Sequence, residues 1–344
     1  MEKLVVVTGG TGFIGSHTAV ELMQAGYEVL IIDDLSNSRI EVLDGIEKIT
    51  GRRPLFEKFD LCDRERVKEC FSQHPGIAAI IHFAAYKAVP ESVQKPLMYY
   101  ENNLLSLINL LGAMKEHGIH YFVFSSSCTV YGQPDKLPVT ESSPVKKAQS
   151  PYGNTKQISE EIIQDVVAAG DPIQAISLRY FNPIGAHPSA LIGELPLGVP
   201  LNLVPFISQT AIGVREELRV FGDDYNTPDG SAIRDYINVV DLSKAHVVSI
   251  DRLLSGRNKS AMETFNLGTG KGLSVFEIIN TFEKANGVKI KYRVVGRREG
   301  DIEQVYADTS LANEELGWKA VVPLEETLRS AWKWEQYIRQ KNNG

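Results

Sequence analysis

The feature that most constrains the fold is a glycine-rich turn between an apolar run and a helical pattern near the start of the chain. Leu4–Thr8 is typical of a buried strand, residues 9–15 (GGTGFIG) carry glycines at GxxGxxG spacing, and residues 16–23 continue with helical spacing. A backbone without side chains lets a pyrophosphate approach, and the following helix amides supply donors. The pattern predicts a dinucleotide site at Gly9, Gly12 and Gly15. The standard fingerprint is GxGxxG, and a tight turn without a ligand is the alternative.

An acidic residue after the second apolar run indicates which dinucleotide is bound. Asp33 closes the strand predicted over 28–33. At this position a carboxylate accepts hydrogen bonds from the adenosine ribose hydroxyls and repels a 2′-phosphate, so NAD is expected rather than NADP. The alternative is that Asp33 or Asp34 only caps a turn.

The alternation of apolar runs and amphipathic segments up to Phe181 is typical of parallel βαβ units with helices on both faces. We expect an α/β fold with a Rossmann-type doubly wound parallel sheet over residues 1–181. Prolines and glycines interrupt the pattern afterwards, which predicts a smaller α/β domain over 182–344. The boundary is soft, and segments of the second half can return to the first domain. Strands are predicted at 4–8, 28–33, 54–60, 78–84, 121–125, 173–180, 233–239, 264–267 and 289–295, and helices at 13–25, 64–72, 94–117, 152–169, 241–254, 274–286 and 324–340.

Composition narrows the possible partners and the cellular location. The 344 residues carry a net charge of −7 and no basic cluster, so nucleic acid is not an expected partner. Three cysteines without CxxC spacing predict neither a disulfide framework nor a zinc site, and the histidines show no metal pattern. A reducing, cytoplasmic location is expected. Prolines and polar residues break the uncharged stretch 195–214, so no membrane span is expected.

Tyr152 and Lys156 are four residues apart at the start of a predicted helix, so their side chains share one face. A phenol needs roughly 4 kcal/mol of stabilisation to act as a base at neutral pH, and an ammonium about 4 Å away supplies a similar amount. The fifth strand ends in three serines, Ser125 to Ser127, where open α/β sheets bind ligands. One of these hydroxyls can bridge the substrate and Tyr152, but spacing does not choose among them. The alternatives are an exposed Tyr and Lys pair and a polar strand end.

Several segments together resemble the extended short-chain dehydrogenase/reductase superfamily and, within it, the UDP-galactose 4-epimerase family. The likeness runs over nearly the whole chain. It is carried by residues 8–15 (TGGTGFIG), 82–85 (HFAA), 87–89 (KAV), 91–96 (ESVQKP), 125–132 (SSSCTVYG), 150–153 (SPYG), 179–183 (RYFNP), 185–188 (GAHP), 234–236 (RDY) and 297–301 (RREGD). The resemblance implies an NAD-dependent isomerase that interconverts UDP-galactose and UDP-glucose through a transient 4-keto sugar.

The resemblance also implies roles for individual residues. Ser127 would be the catalytic hydroxyl, Tyr152 the base and Lys156 the anchor of the nicotinamide ribose. Cofactor contacts would fall on Gly9, Gly12, Phe13, Ile14, Gly15, Asp33, Asp34, Asn37, Ser38, Asp60, Leu61, Phe83, Ala84, Lys87, Asn102 and Phe181. UDP-sugar contacts would fall on Asn182, Asn202, Leu203, Phe221, Arg234, Arg298, Asp301 and Val305. Val305 stands where some members carry a tyrosine, so room for an N-acetylated hexose is expected.

Two other functions are weighed against this one. A nucleotide-sugar 4,6-dehydratase needs a carboxylate pair beside the catalytic hydroxyl, but Cys128 and Thr129 follow Ser127. A non-catalytic NAD sensor would keep the glycine turn and tolerate loss of Tyr152.

The stretch 103–114 is Leu-rich on more than one face and could be buried against the sheet or form a dimer contact. The resemblance favours a homodimer.

Overall fold

A parallel sheet of seven strands forms the centre of the computed structural model, which describes residues 3–298 and 301–343. The strands of the protein are β1 (Leu4–Thr8), β2 (Glu28–Ile32), β3 (Leu55–Glu57), β4 (Ile77–His82), β5 (Tyr121–Ser127), β6 (Gln174–Tyr180), β7 (Asn182–Ile184), β8 (Leu218–Phe221), β9 (Ile233–Asn238), β10 (Met262–Leu267), β11 (Gly272–Ser274), β12 (Tyr292–Val295) and β13 (Gln304–Val305). The central sheet has the order β10-β6-β5-β4-β1-β2-β3. The order reverses between β1 and β4, where open α/β sheets bind ligands. The predicted Rossmann-type fold is confirmed.

Helices cover both faces of this sheet. They are α1 (Phe13–Gln24), α2 (Val42–Thr50), α3 (Arg64–Gln73), α4 (Val89–Gln94), α5 (Pro96–His117), α6 (Pro151–Ala168), α7 (Leu203–Ala211), α8 (Val239–Leu254), α9 (Val275–Asn286) and α10 (Leu324–Asn343). A 3₁₀ helix spans Cys128–Tyr131, and a π-helical turn spans Ala312–Leu316. One face is packed by α1, α2 and α8, and the other by α3, α5 and α6.

The apolar runs of the central strands reflect burial on both sides. In β1, Val5 and Val7 belong to the core under α1 and α8, whereas Leu4 and Val6 belong to the core under α5. Successive side chains of a strand point to opposite faces, so a strand covered on both sides has no polar alternation. Each such side chain contributes about 1.5 to 3 kcal/mol when it is fully buried.

A smaller layer is built around β9. This strand pairs in parallel with β7 and β13 and antiparallel with β11, while β8 and β12 form a separate parallel pair. Helices α7, α9 and α10 pack over a core that includes Ile207, Phe282 and Leu328. Two segments of the second half lie in the larger layer, because β10 pairs with β6 and α8 packs against α1. The division of the chain into domains at residue 181 stays a prediction.

Three helices are absent from the sequence-based prediction: α2, α4 and α7. The helix predicted over 94–117 is α5, which begins at Pro96. The short helix α4 precedes it and ends at Gln94, and Lys95 separates the two helices. Pro96 follows Lys95, and a residue before proline is disfavoured in the α region. Helix α7 contains Pro205 in its first turn, where proline removes no intrahelical hydrogen bond.

Three further findings concern the part of the chain that the structure describes. No helix there combines the length and the apolar character needed to cross a lipid bilayer. No group of three or more His, Cys, Asp or Glu side chains there is arranged to hold a metal ion. Cys62, Cys70 and Cys128 all carry free thiols.

Candidate active site

The glycine turn lies between β1 and α1, beside the point where the strand order reverses. Gly9 has a left-handed backbone with φ of 66°, and a Cβ added there would lie 2.8 Å from the Ala84 nitrogen. A Cβ at Gly15 would lie 2.3 Å from the Gly9 oxygen, so chain packing alone requires both glycines. A Cβ at Gly12 would approach only the Gly9 oxygen, at 3.1 Å. Gly12 is the N-cap of α1 and therefore leaves open space at the N-terminus of that helix.

Asp33 joins this turn to the end of β2. Its Oδ2 accepts a hydrogen bond from the Thr11 amide at 3.1 Å, and its Oδ1 accepts from the Leu35 amide at 2.9 Å and the Ser38 hydroxyl at 3.0 Å. Ionised carboxylates have about four acceptor positions. One position on Oδ2 therefore remains for a ribose hydroxyl.

The other predicted cofactor residues lie mostly on loops that follow the strands of the central sheet. The carboxylates of Asp34 and Asp60 accept backbone amides in their own turns, from Ser36 at 2.9 Å and Cys62 at 2.8 Å. The Cys62 thiol in turn contacts the backbone oxygen of Asn102 at 3.7 Å. Phe13 and Ile14 begin α1, and Asn37 lies in the exposed loop after β2. Leu61 lies in the loop after β3, Phe83 and Ala84 follow the end of β4, and Phe181 follows β6.

The serines at the end of β5 point to different partners. Ser126 donates its hydroxyl to the Glu160 carboxylate at 2.5 Å, on a buried side of the strand. Ser127 instead hydrogen-bonds the Tyr152 phenol and accepts the Thr129 amide at 3.2 Å. Of these two hydroxyls, only that of Ser127 adjoins Tyr152.

Lys156 is buried beside the same strand. Its Nζ donates to the Ser125 carbonyl at 2.6 Å, and it lies 4.8 Å from the centre of the Phe124 ring and 6.0 Å from that of Tyr152. Burial lowers the pKa of Lys156 to about 8, whereas the negative charge of Glu160 acts in the opposite direction. The ammonium is therefore held within one helical turn of Tyr152, as the spacing predicts.

The phenol of Tyr152 is not ionised by this arrangement alone. Burial raises its pKa above the usual value near 10, the nearby Tyr180 adds to this rise, and the hydrogen bond with Ser127 acts against it. Ionisation near neutral pH requires a further positive charge.

Two residues that line this centre were not predicted. The Tyr180 hydroxyl hydrogen-bonds the Ser125 hydroxyl and lies close enough to Tyr152 to affect its pKa. Burial raises the pKa of the Cys128 thiol to about 12, with Arg234 acting in the opposite direction. Both residues belong to segments that carry the family resemblance, 179–183 and 125–132, so the sequence contained a signal for them.

Three predicted substrate residues meet at one wall of the smaller layer. The Arg298 guanidinium donates to Asp301 Oδ1 at 2.7 and 3.1 Å and lies 5.6 Å from the centre of the Phe221 ring. Arg234, on β9, donates to the Ile233 carbonyl at 2.8 Å. Residues 299 and 300 of the segment 297–301 lie outside the described residues.

A second group of predicted residues meets at Glu194, which sequence reasoning missed. The Asn202 amide donates to Glu194 Oε1 at 2.5 Å, and Lys87 Nζ lies 3.8 Å from the same oxygen. A residue predicted for the cofactor and one predicted for the substrate thus share a partner. Leu203 follows as the first residue of α7, and Asn182 is the first residue of β7.

Val305 is the predicted substrate residue that lies on β13 of the smaller layer. It is buried in β13, beside Arg234 of β9. Its side chain belongs to an apolar cluster with Phe181 and Tyr131, and Cys128 packs against that cluster. A small side chain at this position therefore lies between the cofactor-side and substrate-side residues.

Known proteins resemble the chain over nearly its full length. Residues 6–331 match the family described as GDP-mannose 4,6 dehydratase. The UDP-glucose 4-epimerase of Mus musculus is 49% identical over 342 residues, which cover 98% of this chain and 97% of that protein. Among solved structures, the UDP-glucose 4-epimerase from Stenotrophomonas maltophila with bound NAD and formylated UDP-arabinopyranose has a TM-score of 0.95 and 47% identity, and covers 99% of this chain and 100% of its own. The enzyme from Bifidobacterium longum in complex with NAD+ and UDP has a TM-score of 0.94 and 45% identity, and covers 98% and 99%.

Proposed function

The chain belongs to the UDP-glucose 4-epimerase family of the extended short-chain dehydrogenases/reductases, and we propose that it interconverts UDP-galactose and UDP-glucose with NAD as its cofactor. One observation carries the proposal: Ser127, Tyr152 and Lys156 converge at the end of β5, next to a glycine turn that fits a dinucleotide. A sensor of NAD has no need of a phenol hydrogen-bonded to a serine at that place.

The residues present fit NAD. Gly12 leaves the N-terminus of α1 open to a pyrophosphate, and Asp33 keeps one acceptor position for an adenosine ribose hydroxyl. Lys156 would hold the nicotinamide ribose, and Phe83 and Phe181 would line the cofactor. When bound, NAD+ supplies an acceptor that takes the hydride from C4 of the sugar and returns it, together with the positive charge of its nicotinamide ring.

Tyr152 would take the proton of the C4 hydroxyl and later return it. Burial keeps the pKa of this phenol high in the protein alone. The Lys156 ammonium, whose Nζ lies 6.0 Å from the centre of the Tyr152 ring, attracts the phenolate form. The phenolate therefore depends jointly on Ser127, Lys156 and the positive charge of the bound cofactor. Ser127 would pass the hydrogen bond from the sugar hydroxyl to Tyr152.

The substrate side would grip UDP and leave the hexose free to turn, because the hydride must return to the opposite face of the 4-keto sugar. Arg234 and Arg298 suit a diphosphate through charge-assisted hydrogen bonds. Asp301 already orients Arg298. The other residues proposed for UDP-sugar contacts are Asn182, Asn202, Leu203 and Phe221.

The 4,6-dehydratase reaction is disfavoured by the same geometry. That reaction needs carboxylates that act as acid and base beside the catalytic hydroxyl. The carboxylate that reaches the serines of β5 is Glu160, and it is bound to Arg179 and Ser126. The name of the matching family profile therefore does not describe the proposed chemistry.

Exchange of UDP-galactose without added cofactor tests the proposal. The purified protein should form UDP-glucose, and chromatography separates the two. Tyr152→Phe should lower kcat by about 10²- to 10⁴-fold with unchanged NAD content, since it removes one acid-base group. Tyr337→Phe, on α10, is the control and should keep full activity. A wild type that carries NAD but leaves UDP-galactose unchanged would contradict the proposal.

Acceptance of N-acetylated UDP-hexoses is part of the proposal. Val305 pairs with Arg234 of β9, and its side chain is smaller than the tyrosine that some members of the family carry there, which supports extra room near the sugar. The protein should interconvert UDP-GlcNAc and UDP-GalNAc. Val305→Tyr should reduce this exchange at least tenfold more than the exchange of the plain hexoses. Absence of N-acetylhexose exchange in the wild type would end this part of the proposal.

We also propose that the protein is a homodimer in the cytoplasm. Helix α5 exposes Leu97, Leu105 and Ile108, although its Leu107 and Leu110 are buried against the sheet. A helix that is apolar on two faces is typical of one that packs on both. Light scattering should give twice the 38.1 kDa chain mass, and Ile108→Glu should give the monomer mass. The three free thiols support the cytoplasmic location.

A further inference from the structure

A buried ion pair lies directly behind the catalytic residues and has no role in the mechanism described so far. Arg179 on β6 and Glu160 on α6 have side chains only about one-tenth exposed. The guanidinium donates from Nη2 to Oε2 at 2.6 Å and from Nε to Oε1 at 3.0 Å. Replacing a buried pair with apolar residues is often neutral or stabilising, so its presence is weak evidence for a role in stability.

The pair is attached to both strands that end at the reaction centre. Glu160 Oε1 accepts the hydroxyls of Ser126 on β5 at 2.5 Å and Ser177 on β6 at 2.8 Å. Ser126 lies between Ser125, whose carbonyl binds Lys156, and Ser127, which faces Tyr152. One carboxylate therefore fixes the strand at the residue between two catalytic contacts.

Arg179 extends the same network to the segment after β5 and to β10. Its Nη1 donates to the Tyr131 hydroxyl at 3.0 Å, and Tyr131 donates to Asn266 Oδ1 at 2.7 Å. Tyr131 ends the 3₁₀ helix that begins at Cys128. The segment directly after Ser127 is thus held by the same pair.

Glu160 is also one helical turn beyond Lys156 and bears the opposite charge. The groups that face the Lys156 ammonium are Tyr152 and Glu160 on α6, His82 on β4, and the Ser125 carbonyl and Phe124 ring on β5. Burial lowers the pKa of His82 to about 3, so this imidazole is neutral. Glu160 is then the negative charge in this group that favours the ammonium form.

We propose that the Glu160–Arg179 pair is a positioning device of the active site, which aligns Ser127 with Tyr152 through Ser126 and keeps Lys156 charged. This inference rests on the proposed function for its kinetic consequences. Its electrostatic consequence is independent of activity, because the titration of Lys156 can be followed in an inactive protein.

Glu160→Gln separates this role from a purely structural one. The variant keeps the shape and removes the nearby negative charge that favours the ammonium, so Lys156 should lose its proton at lower pH. The alkaline limb of the kcat profile should move down by about one pH unit, with kcat at pH 8 reduced at least tenfold and KM within about threefold. Glu160→Asp keeps the charge and should keep the alkaline limb of the wild type.

Glu263→Gln is the matched control. Glu263 forms the same kind of buried pair with Arg252, with side chains 9% and 5% exposed, on β10 at the outer edge of the same sheet. The control should lower the urea midpoint without moving the pH profile. An equal shift of the alkaline limb in both variants, or no shift in Glu160→Gln, would overturn the proposal.

Ser126→Ala tests the alignment separately and serves if Glu160→Gln does not fold. It breaks the link to β5 and leaves the charge, so kcat should fall at least threefold with an unmoved alkaline limb and unchanged NAD content. A kcat of Ser126→Ala equal to that of the wild type would refute the alignment role.

Lys156 is also titrated directly by NMR in ¹⁵N-lysine-labelled protein, with the signal assigned by Lys156→Met. A lower midpoint in Glu160→Gln supports the electrostatic role even if the wild type has no epimerase activity, and an unchanged midpoint refutes it.

Discussion

The two sides of the candidate site are held by different physical means. On the cofactor side, backbone packing fixes the chain, since a Cβ at Gly15 would lie 2.3 Å from the Gly9 oxygen. On the substrate side, side chains orient one another at the surface, as Arg298 and Asp301 do, and the Arg298 side chain is 46% exposed. The first arrangement has almost no freedom to adjust, whereas the second can move at small cost.

This difference matches what the proposed reaction demands. A cofactor that must take and return a hydride within one turnover benefits from a rigid cradle, because misplacement of reacting groups slows the chemistry. A sugar that must present both faces needs a grip at UDP and freedom at the hexose. Exposed ion pairs contribute only about 0 to 1 kcal/mol to folding, so the substrate side can be tuned without unfolding the protein.

The largest expected contrast between the two sides is in acid stability. His17, His82 and His246 lie on α1, β4 and α8, and burial lowers their pKa values to about 3, 3 and 4. The unfolded chain binds protons at these groups below about pH 6.5 and the native state does not. Their contribution to stability is therefore complete above pH 6.5 and is lost as the pH falls toward the folded pKa values. At pH 5 each accounts for about 2 kcal/mol.

Urea unfolding between pH 5 and 8 measures this effect. His246 Nε2 is buried without a hydrogen-bond partner, so His246→Leu should lose about 2 kcal/mol less than the wild type between pH 8 and pH 5. His120→Asn changes an exposed histidine and should follow the wild type. Parallel curves for the wild type and His246→Leu would show that the larger layer is not the acid-sensitive part.

Gly15→Ala should show the rigidity of the cofactor side directly. The methyl group would meet the Gly9 oxygen, and the overpacked turn should lower the free energy of unfolding by about 2 kcal/mol and reduce NAD content. Gly296→Ala is the control beside the substrate-side residues, where an added Cβ meets nothing within 4 Å, and it should change the free energy of unfolding by less than about 1 kcal/mol. Equal urea midpoints for the two variants would contradict the proposed rigidity.

Arg298→Ala should show the opposite behaviour on the substrate side. Loss of a charged hydrogen bond to a phosphate costs about 1.5 to 3 kcal/mol, which corresponds to a rise in KM for UDP-galactose of roughly 10- to 100-fold. The melting temperature should stay unchanged. Arg293→Ala removes a similarly exposed ion pair with Glu217 and should alter neither quantity. A fall in kcat with unchanged KM would place Arg298 outside the UDP grip.

The same contrast explains how much of the molecule was predictable from the sequence. The central strands were predicted because burial on both faces produces apolar runs, and Leu4–Thr8 was predicted to the residue. Helix α7 was missed because Pro205 interrupts its pattern, although a proline in the first turn is compatible with a helix.

Among the site residues, contacts within one element could be predicted and contacts between distant segments could not. Tyr152 and Lys156 are linked by local helical spacing, whereas Glu194 contacts Lys87 and Asn202, of which Lys87 is far away in the sequence. Ser126 is set apart from Ser127 by the face of β5 that meets Glu160, and Ser125 by its hydrogen bond with Tyr180. Spacing contains no information on contacts of this kind.

Gly12→Ala is the smallest and sharpest test of the difference between packing and binding in the glycine turn. Its Cβ would approach only the Gly9 oxygen, at 3.1 Å, so the free energy of unfolding should change by less than about 1 kcal/mol. The methyl group would nevertheless stand at the open N-terminus of α1, where a pyrophosphate must approach the backbone, and the Kd for NAD should rise at least tenfold, or about 1.4 kcal/mol. Calorimetric titration with NAD measures the affinity, and thermal unfolding of the NAD-free protein measures the stability. Gly15→Ala should lose both properties and Gly12→Ala only the affinity. Unchanged NAD affinity in Gly12→Ala would mean that the turn serves chain packing alone, and the cofactor side would then lose its distinction from an ordinary βα turn.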